Sequence, residues 1–548
     1  MNTKRRAASL LLGVIVGACA GSPASATSAG SPLPQIPHAR ATPATAAGRS
    51  MTIAAEPPTP ALASAVKFPV RADYGRASVL LSPGGIVYAV APGGTNGTVI
   101  AALDDKGRPR PGWPVAIPGA YVPGHAAFAA DGTLYLPLDL GERAALTALR
   151  QDGRVAAGWP VRLGSRDSCV VLPADDGTVR VLCGIRGDVA RAYAFDRRGR
   201  ALPGWPVELA GSDSHLYPAT PILVGTALIG VQGGHGWVRR YRIDVDGTLH
   251  FGKKVTAPVY DSPCYDDRHW APMSFLGPDG TAYLWSYRLA SPDGPDACRF
   301  ISSTYTAFDA RGVRDGWPVT VAGESSEPVL GPDGRIYATQ GSQERHPTRI
   351  SAFDARGRRV AGWPVTIDVA PAIGQGGEGW WPPAAVFVGD DGTVYLITES
   401  GGTTIYALGP GGKVLRGWPY RSASALGDTA TPCATGGGHP IVVPVIDAAG
   451  RLHIVHRGAD LAYGFEKDSR VTLVDDGHTV RGWPVTLRRA GSRFVSLAVD
   501  ARGVTYALAL EYEGPLRCDP SPKSSETLLA IAVDGSVLYR TTLLEPGS

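Results

Sequence analysis

The sequence predicts an all-β chain folded as a single β-propeller of about eight or nine four-stranded blades. Three observations carry this. Gly-Trp-Pro recurs with Trp at 113, 159, 205, 317, 363, 418 and 483, the first two intervals being 46 residues. Between these marks one grammar repeats: short runs rich in Val, Tyr, Leu and Thr, separated by turns such as PDG, ADG and DDG. No helical periodicity follows the first 26 residues. Gly adopts positive φ without steric cost, so Asp-Gly between such runs is a strong hairpin signal. Four short strands repeated at this interval describe one blade per unit.

Composition agrees. Gly 70 and Pro 47 among 548 residues suit many tight turns, and 44% hydrophobic residues can supply a sizeable core. The formal net charge is +4, to which Lys4, Arg5 and Arg6 contribute. Without those three, 50 basic residues face 49 acidic ones, so a chain-wide basic field for nucleic acid is missing. After the N-terminal segment no apolar run reaches membrane-spanning length, so no transmembrane helix is expected.

Taken in chain order, residues 1–26 read as an export signal. Lys4, Arg5 and Arg6 precede an apolar run from 7 to 18, too short to span a bilayer but suited to a signal core. Two processing sites stand open. Val16-Gly17-Ala18-Cys19 resembles a lipobox, which would lipidate Cys19 and anchor the chain to a membrane. Ala24-Ser25-Ala26 offers an ordinary cleavage site. The expected location is the bacterial cell envelope or the medium. Residues 27–66, rich in Ala, Pro, Ser and Thr, read as a disordered tether, and 67–548 as the propeller.

Within the propeller, Phe251 is expected to take the place of the missing Trp in HFGKKV, and a ninth unit to span about 492–544. Lys67-Phe68-Pro69-Val70 is a candidate for closing the ring. Gly-Trp-Pro is placed in the fourth, outer strand, with Trp filling the space between blades and Pro blocking edge pairing.

The cysteines suit an oxidising compartment. Setting Cys19 aside leaves six. Cys169 and Cys183 flank a hairpin centred on Asp176 and sit seven residues to either side of it, so they should face each other and bridge. Cys264 with Cys298, and Cys433 with Cys518, follow by elimination and proximity.

Phrases such as DGTVYL, YALGPGGKV and FDARGRRVAGWPV resemble the repeats of the pyrroloquinoline-quinone-like and WD40-like propeller superfamily. The resemblance covers about 70–545 and speaks to fold. It implies that the links from each fourth strand to the next first strand gather at one mouth of the central channel. Those links hold the candidate ligand-binding residues His125, His215, Tyr217, Arg268, His269, Trp270, Trp380, Trp381, His439 and Arg493. Four of the 11 histidines fall there. His269, Trp381 and His439 share a register, each 11 residues before its blade's first turn glycine (Gly280, Gly392, Gly450) with Pro soon after.

The leading functional reading is an exported, non-catalytic scaffold that binds a protein or glycan through this face, with no cofactor. The alternative is a secreted polysaccharide lyase or hydrolase using His, Tyr and Arg of the same face. In that reading His125, His215, His269 and His439 offer imidazoles to a transition metal. A quinone-dependent oxidoreductase ranks third, because the adjacent cysteines expected beside the quinone are absent. Asp244-Val245-Asp246-Gly247 lacks the later acidic ligand of a calcium loop and reads as a turn. There is no G-x-S-x-G, H-E-x-x-H or C-x-x-C.

Overall fold

Asp-Gly turns set the strand rhythm. At Asp391-Gly392 the carboxylate accepts the Thr393 amide at 2.9 Å, and Gly392 takes φ 79°, so the chain reverses from Val386–Val388 into Val394–Glu399. Asp131, Asp176, Asp279 and Asp333 make the same bond to the amide two residues on. Alternating apolar side chains then bury both faces of each sheet.

The computed structural model describes residues 70–546 except 73–76, 94–96, 122–125, 142, 165–168, 185–188, 211–219, 235, 258–272, 291–298, 324, 326–327, 343–344, 369–385, 400–401, 425–443, 457–458, 461–464, 467–468, 488–491 and 513–523. Among these residues there are no helices. Blade 1 covers 78–118, blade 2 120–162, blade 3 169–210, blade 4 222–256, blade 5 273–322, blade 6 329–367, blade 7 386–422, blade 8 445–486 and blade 9 493–546. In each, the strands are antiparallel and follow sequence order from the inner to the outer edge. The count is therefore nine.

Nine buried apolar clusters each lie between consecutive blades, and one of them joins the last blade to the first. In that cluster Val87, Ala89 and Ala101 pack with Tyr506, Leu508 and Leu528. The ring closes there a second way. Val70–Ala72 pairs in parallel with the end of the last strand, Val70 opposite Leu544. Closure by Val70 is thus as anticipated, while Lys67, Phe68 and Pro69 lie outside the described residues.

Gly-Trp-Pro does not lie in the outer strand. It forms the turn that enters it, and the outer strand begins at the next residue, as at Val115, Val161 and Val207. All seven Trp-Pro bonds are cis. Six indoles donate Nε1–H to a main-chain oxygen in the following blade's turn: Trp113 to Gln151, Trp159 to Arg197, Trp205 to Val245, Trp317 to Ala355, Trp363 to Pro410 and Trp483 to Val533, at 2.8–3.2 Å. The motif is an inter-blade fastener. Pro precedes the strand, so it does not act as an edge blocker there.

The glycine before each Trp is needed for this approach. A Cβ on Gly158, which has φ 87°, would lie 1.8 Å from the Arg198 oxygen of the next blade. Gly112, Gly316, Gly362, Gly417 and Gly482 are equally crowded by the following turn.

Two blades replace the indole. Leu249 pairs with Ile243 as Val155 bridges Leu149, which puts Lys253 at the Trp position of blade 4. The Lys253 amide donates to Ala310 of blade 5 at 3.0 Å, taking over the indole bond. Phe251, expected in that place, is 41% exposed and touches no neighbouring turn in that way. In blade 9, Thr541 holds the position, and its hydroxyl donates to Gly107 of blade 1 at 2.8 Å.

Candidate functional site

Each inner strand begins, and each outer strand ends, at the same end of its blade, so the nine links share one end of the ring. His125, His215, Tyr217, Arg268, His269, Trp270, Trp380, Trp381 and His439 lie in links outside the described residues. So do Cys19, Cys264, Cys298, Cys433 and Cys518. The Cys169–Cys183 disulfide is present, with the two residues directly paired at the link end of blade 3.

Arg493 is the one predicted ligand-binding residue within the described set. It opens the inner strand of blade 9 at the link end and is 7% exposed. Its partner across the sheet is Leu510, which in turn pairs with Glu526, so the three side chains share the face toward blade 1. Glu526 accepts the Ala77 amide at 2.6 Å. The Arg493 Nε has no hydrogen-bond partner, and no described carboxylate is paired with its guanidinium. Beside it, the buried Ser492 hydroxyl also lacks a partner. The next amide, Phe494, donates to Ser469 of blade 8 at 3.1 Å.

A second polar group sits at the link end between blades 7 and 8. His456 pairs with Arg470 across blade 8, and both face blade 7. Arg470 donates to the hydroxyls of Ser422 at 3.1 Å and Ser424 at 2.6 Å. The His456 Nε2 lies 3.4 Å from the Tyr420 hydroxyl. Burial pushes the imidazole pKa down to about 4, and the Arg470 charge adds to this. His456 is therefore a neutral histidine near pH 7, enclosed between two sheets.

Between blades 8 and 9 at the link end, Glu511 takes Arg540 and the Thr527 hydroxyl. At the opposite end of the same interface lies a network built on Asp447. Its carboxylate accepts Arg451 Nε at 2.8 Å and stands 3.3 Å from His453 Nε2, whose other nitrogen is 2.7 Å from the Thr505 hydroxyl. Burial alone would raise the Asp447 pKa, but the Arg451 bonds hold it below the usual carboxylate range. Burial lowers that of His453 against the pull of Asp447. These groups satisfy one another and fasten the blades.

Sequence reasoning missed His453, His456, Arg470 and Asp447. A signal was present: LHIVH places two histidines inside an apolar strand, where alternation buries them on opposite faces. Among the described residues no group of three or more His, Cys, Asp or Glu is placed to hold a metal ion. The four link histidines considered for a metal are outside that set.

No protein-family model matches this chain, and no curated protein does. Solved structures are similar at the level of the fold. A catalytically inactive virginiamycin B lyase from Staphylococcus aureus, solved with quinupristin, aligns over 62% of this chain and 94% of its own, at 12% identity and TM-score 0.29. A dipeptidyl peptidase 4 from Porphyromonas gingivalis aligns over 78% and 60%, at 11% identity and TM-score 0.43. A eukaryotic initiation factor aligns over 85% and 95%, at 8% identity and TM-score 0.43. The chain is a nine-bladed β-propeller. At such identities the likeness speaks to the fold alone. What the propeller does must be argued from its own residues.

Proposed function

We propose that this propeller is an exported, non-catalytic binding protein that engages a partner protein or glycan through its link end. The observation that carries this reading is Arg493, a guanidinium enclosed at the link end of blade 9 with no described carboxylate satisfying it. A buried guanidinium nitrogen without a partner is costly, and an anionic or strongly accepting group on a partner offsets that cost. The candidate link residues His125, His215, Tyr217, Arg268, His269, Trp270, Trp380, Trp381 and His439 would extend the surface around it. A rigid ring carrying variable links suits such a role. Export rests on the character of residues 1–26 and is supported by the Cys169–Cys183 disulfide.

Catalysis has less support. In the described group of His456, Tyr420 and Arg470, the candidate base His456 is buried together with Tyr420, whereas a general base must come within hydrogen-bond reach of its substrate. Binding of the purified full chain and its Arg493→Met variant to a panel of bacterial envelope proteins and glycans, at physiological salt, tests the reading. Saturable binding to one of them, weakened about tenfold in the variant with thermal unfolding unchanged, is the expected result. Equal binding by both proteins, or none across the panel, counts against it.

A further inference from the structure

Where blade 4 loses Gly-Trp-Pro, its outer edge changes character. The turn becomes Gly252-Lys253-Lys254, two lysines standing where other blades place Trp and Pro. Four side chains form an alternating stack there. The Arg239 guanidinium lies 3.5 Å from the Phe251 ring centroid and 5.3 Å from that of Trp237, and Lys254 Nζ lies 4.0 Å from the Trp237 centroid. Trp237 itself lies across Gly234, where any Cβ would meet the indole at 2.4 Å. Arg239 Nε donates to the buried Gln232 at 2.8 Å, which orients the guanidinium plane. Its two Nη groups have no partner among the described residues, and neither Lys253 nor Lys254 has a described carboxylate partner. Asp244, in the turn that follows this strand, is engaged by Arg242 at 2.6 Å and His250 at 2.9 Å. Partial burial depresses the Arg239 pKa without threatening its charge.

We propose that this edge is a second binding site, for an acidic polysaccharide whose uronate or sulfate groups bind Arg239 with Lys254 alongside. A guanidinium set between two rings, with Nε already committed, presents its Nη pair for a forked bond to a planar or tetrahedral oxyanion. Arg239 and Lys254, neither with a described carboxylate partner, supply the complementary charge, while the Lys253 side chain lies against Gly312 of blade 5. The exposed part of Phe251 offers an apolar surface to the C–H face of a sugar. Neutral glycans lack the oxyanion, and nucleic acid would ask for a longer basic track than one blade edge provides. The site lies on the outer strands of blade 4, whereas Arg493 opens the inner strand of blade 9.

The test measures binding of polygalacturonate, dextran sulfate and neutral dextran to the full chain and to its Arg239→Lys, Lys254→Gln and Arg493→Met variants. Arg239→Lys keeps the charge and loses the fork, and Lys254 is exposed, so both variants should fold. Binding of at least one polyanion, absent for neutral dextran, should weaken about tenfold in Arg239→Lys and about threefold in Lys254→Gln, with Arg493→Met unaffected. The two polyanions separate carboxylate from sulfate recognition. Unchanged binding in Arg239→Lys, or no polyanion binding at all, overturns the proposal. Loss confined to Arg493→Met overturns it in favour of the link end. Intact binding here beside a failed link-end assay leaves this site standing on its own.

Discussion

The Trp159 indole donates its Nε1–H to the main-chain oxygen of Arg197 at 3.2 Å, fastening blade 2 to the turn of blade 3. Trp159 is fully buried, and its ring packs edge-on against Tyr135 and Phe195. Trp159→Phe keeps most of the ring and loses the bond, so it should cost about 1–2 kcal/mol. Trp159→Ala also opens a cavity and should cost about 3–5 kcal/mol. Phe251→Ala should cost less than about 1 kcal/mol, because Phe251 is exposed and fastens no neighbouring blade. Urea unfolding midpoints would rank the three.

The glycine of the same motif gives a sharper contrast. Gly158→Ala places a methyl against a carbonyl that belongs to another sheet, and the backbone cannot move away without undocking Trp159. Its expected cost is more than about 4 kcal/mol, or failure to fold. Gly225 also has positive φ, 61°, but opens onto space, so Gly225→Ala should cost only about 1–2 kcal/mol. Thermal melts of the two variants would distinguish crowding from conformational strain.

Acid should loosen the blade 7–8 interface through His456. Its pKa is about 4 in the folded chain and 6.5 when exposed. Between those values the unfolded chain binds the proton first, so stability is complete above about pH 6.5 and falls as the pH drops toward 4. The loss should reach roughly 3 kcal/mol at pH 4. His456→Phe removes this contribution while His453, which shifts in the same direction, remains. The wild type should therefore lose more stability than the variant between pH 7 and pH 4.5. Parallel slopes would show that His456 does not titrate in this range.

Cys169 and Cys183 close a loop of sequence separation 14. Replacing both with Ala should cost roughly 3 kcal/mol by the loop-entropy argument. Peptide mapping without reduction should recover this pair, and it would also settle the expected Cys264–Cys298 and Cys433–Cys518 pairs.

Much of the fold was legible because each blade repeats the same physical solution. Asp-Gly turns and apolar alternation announced the strands, and the Trp spacing announced the repeat. The error at Phe251 came from counting a fixed 46-residue interval. Strand pairing, which the count cannot see, puts Lys253 in the Trp position two residues later. The outer-strand placement of Gly-Trp-Pro failed for a related reason: Pro in a β-rich segment suggested an edge, while the motif is a turn aimed at a neighbour. The candidate site was less legible. Arg493 was reached by assigning it to the last link, and the structure places it one step further, as the first residue of the inner strand. His456 and Arg470 were passed over because they lie inside strands, and only pairing shows that both face blade 7.

The link end is proposed to bind without catalysing. That reading is tested most directly by incubating the purified full chain with the polysaccharides or proteins it binds and following their chain length over time. The account predicts stable complexes and products of unchanged length. Depolymerisation or cleavage that disappears in a His269→Ala, His439→Ala double variant, with folding intact, would contradict it and make the propeller an enzyme.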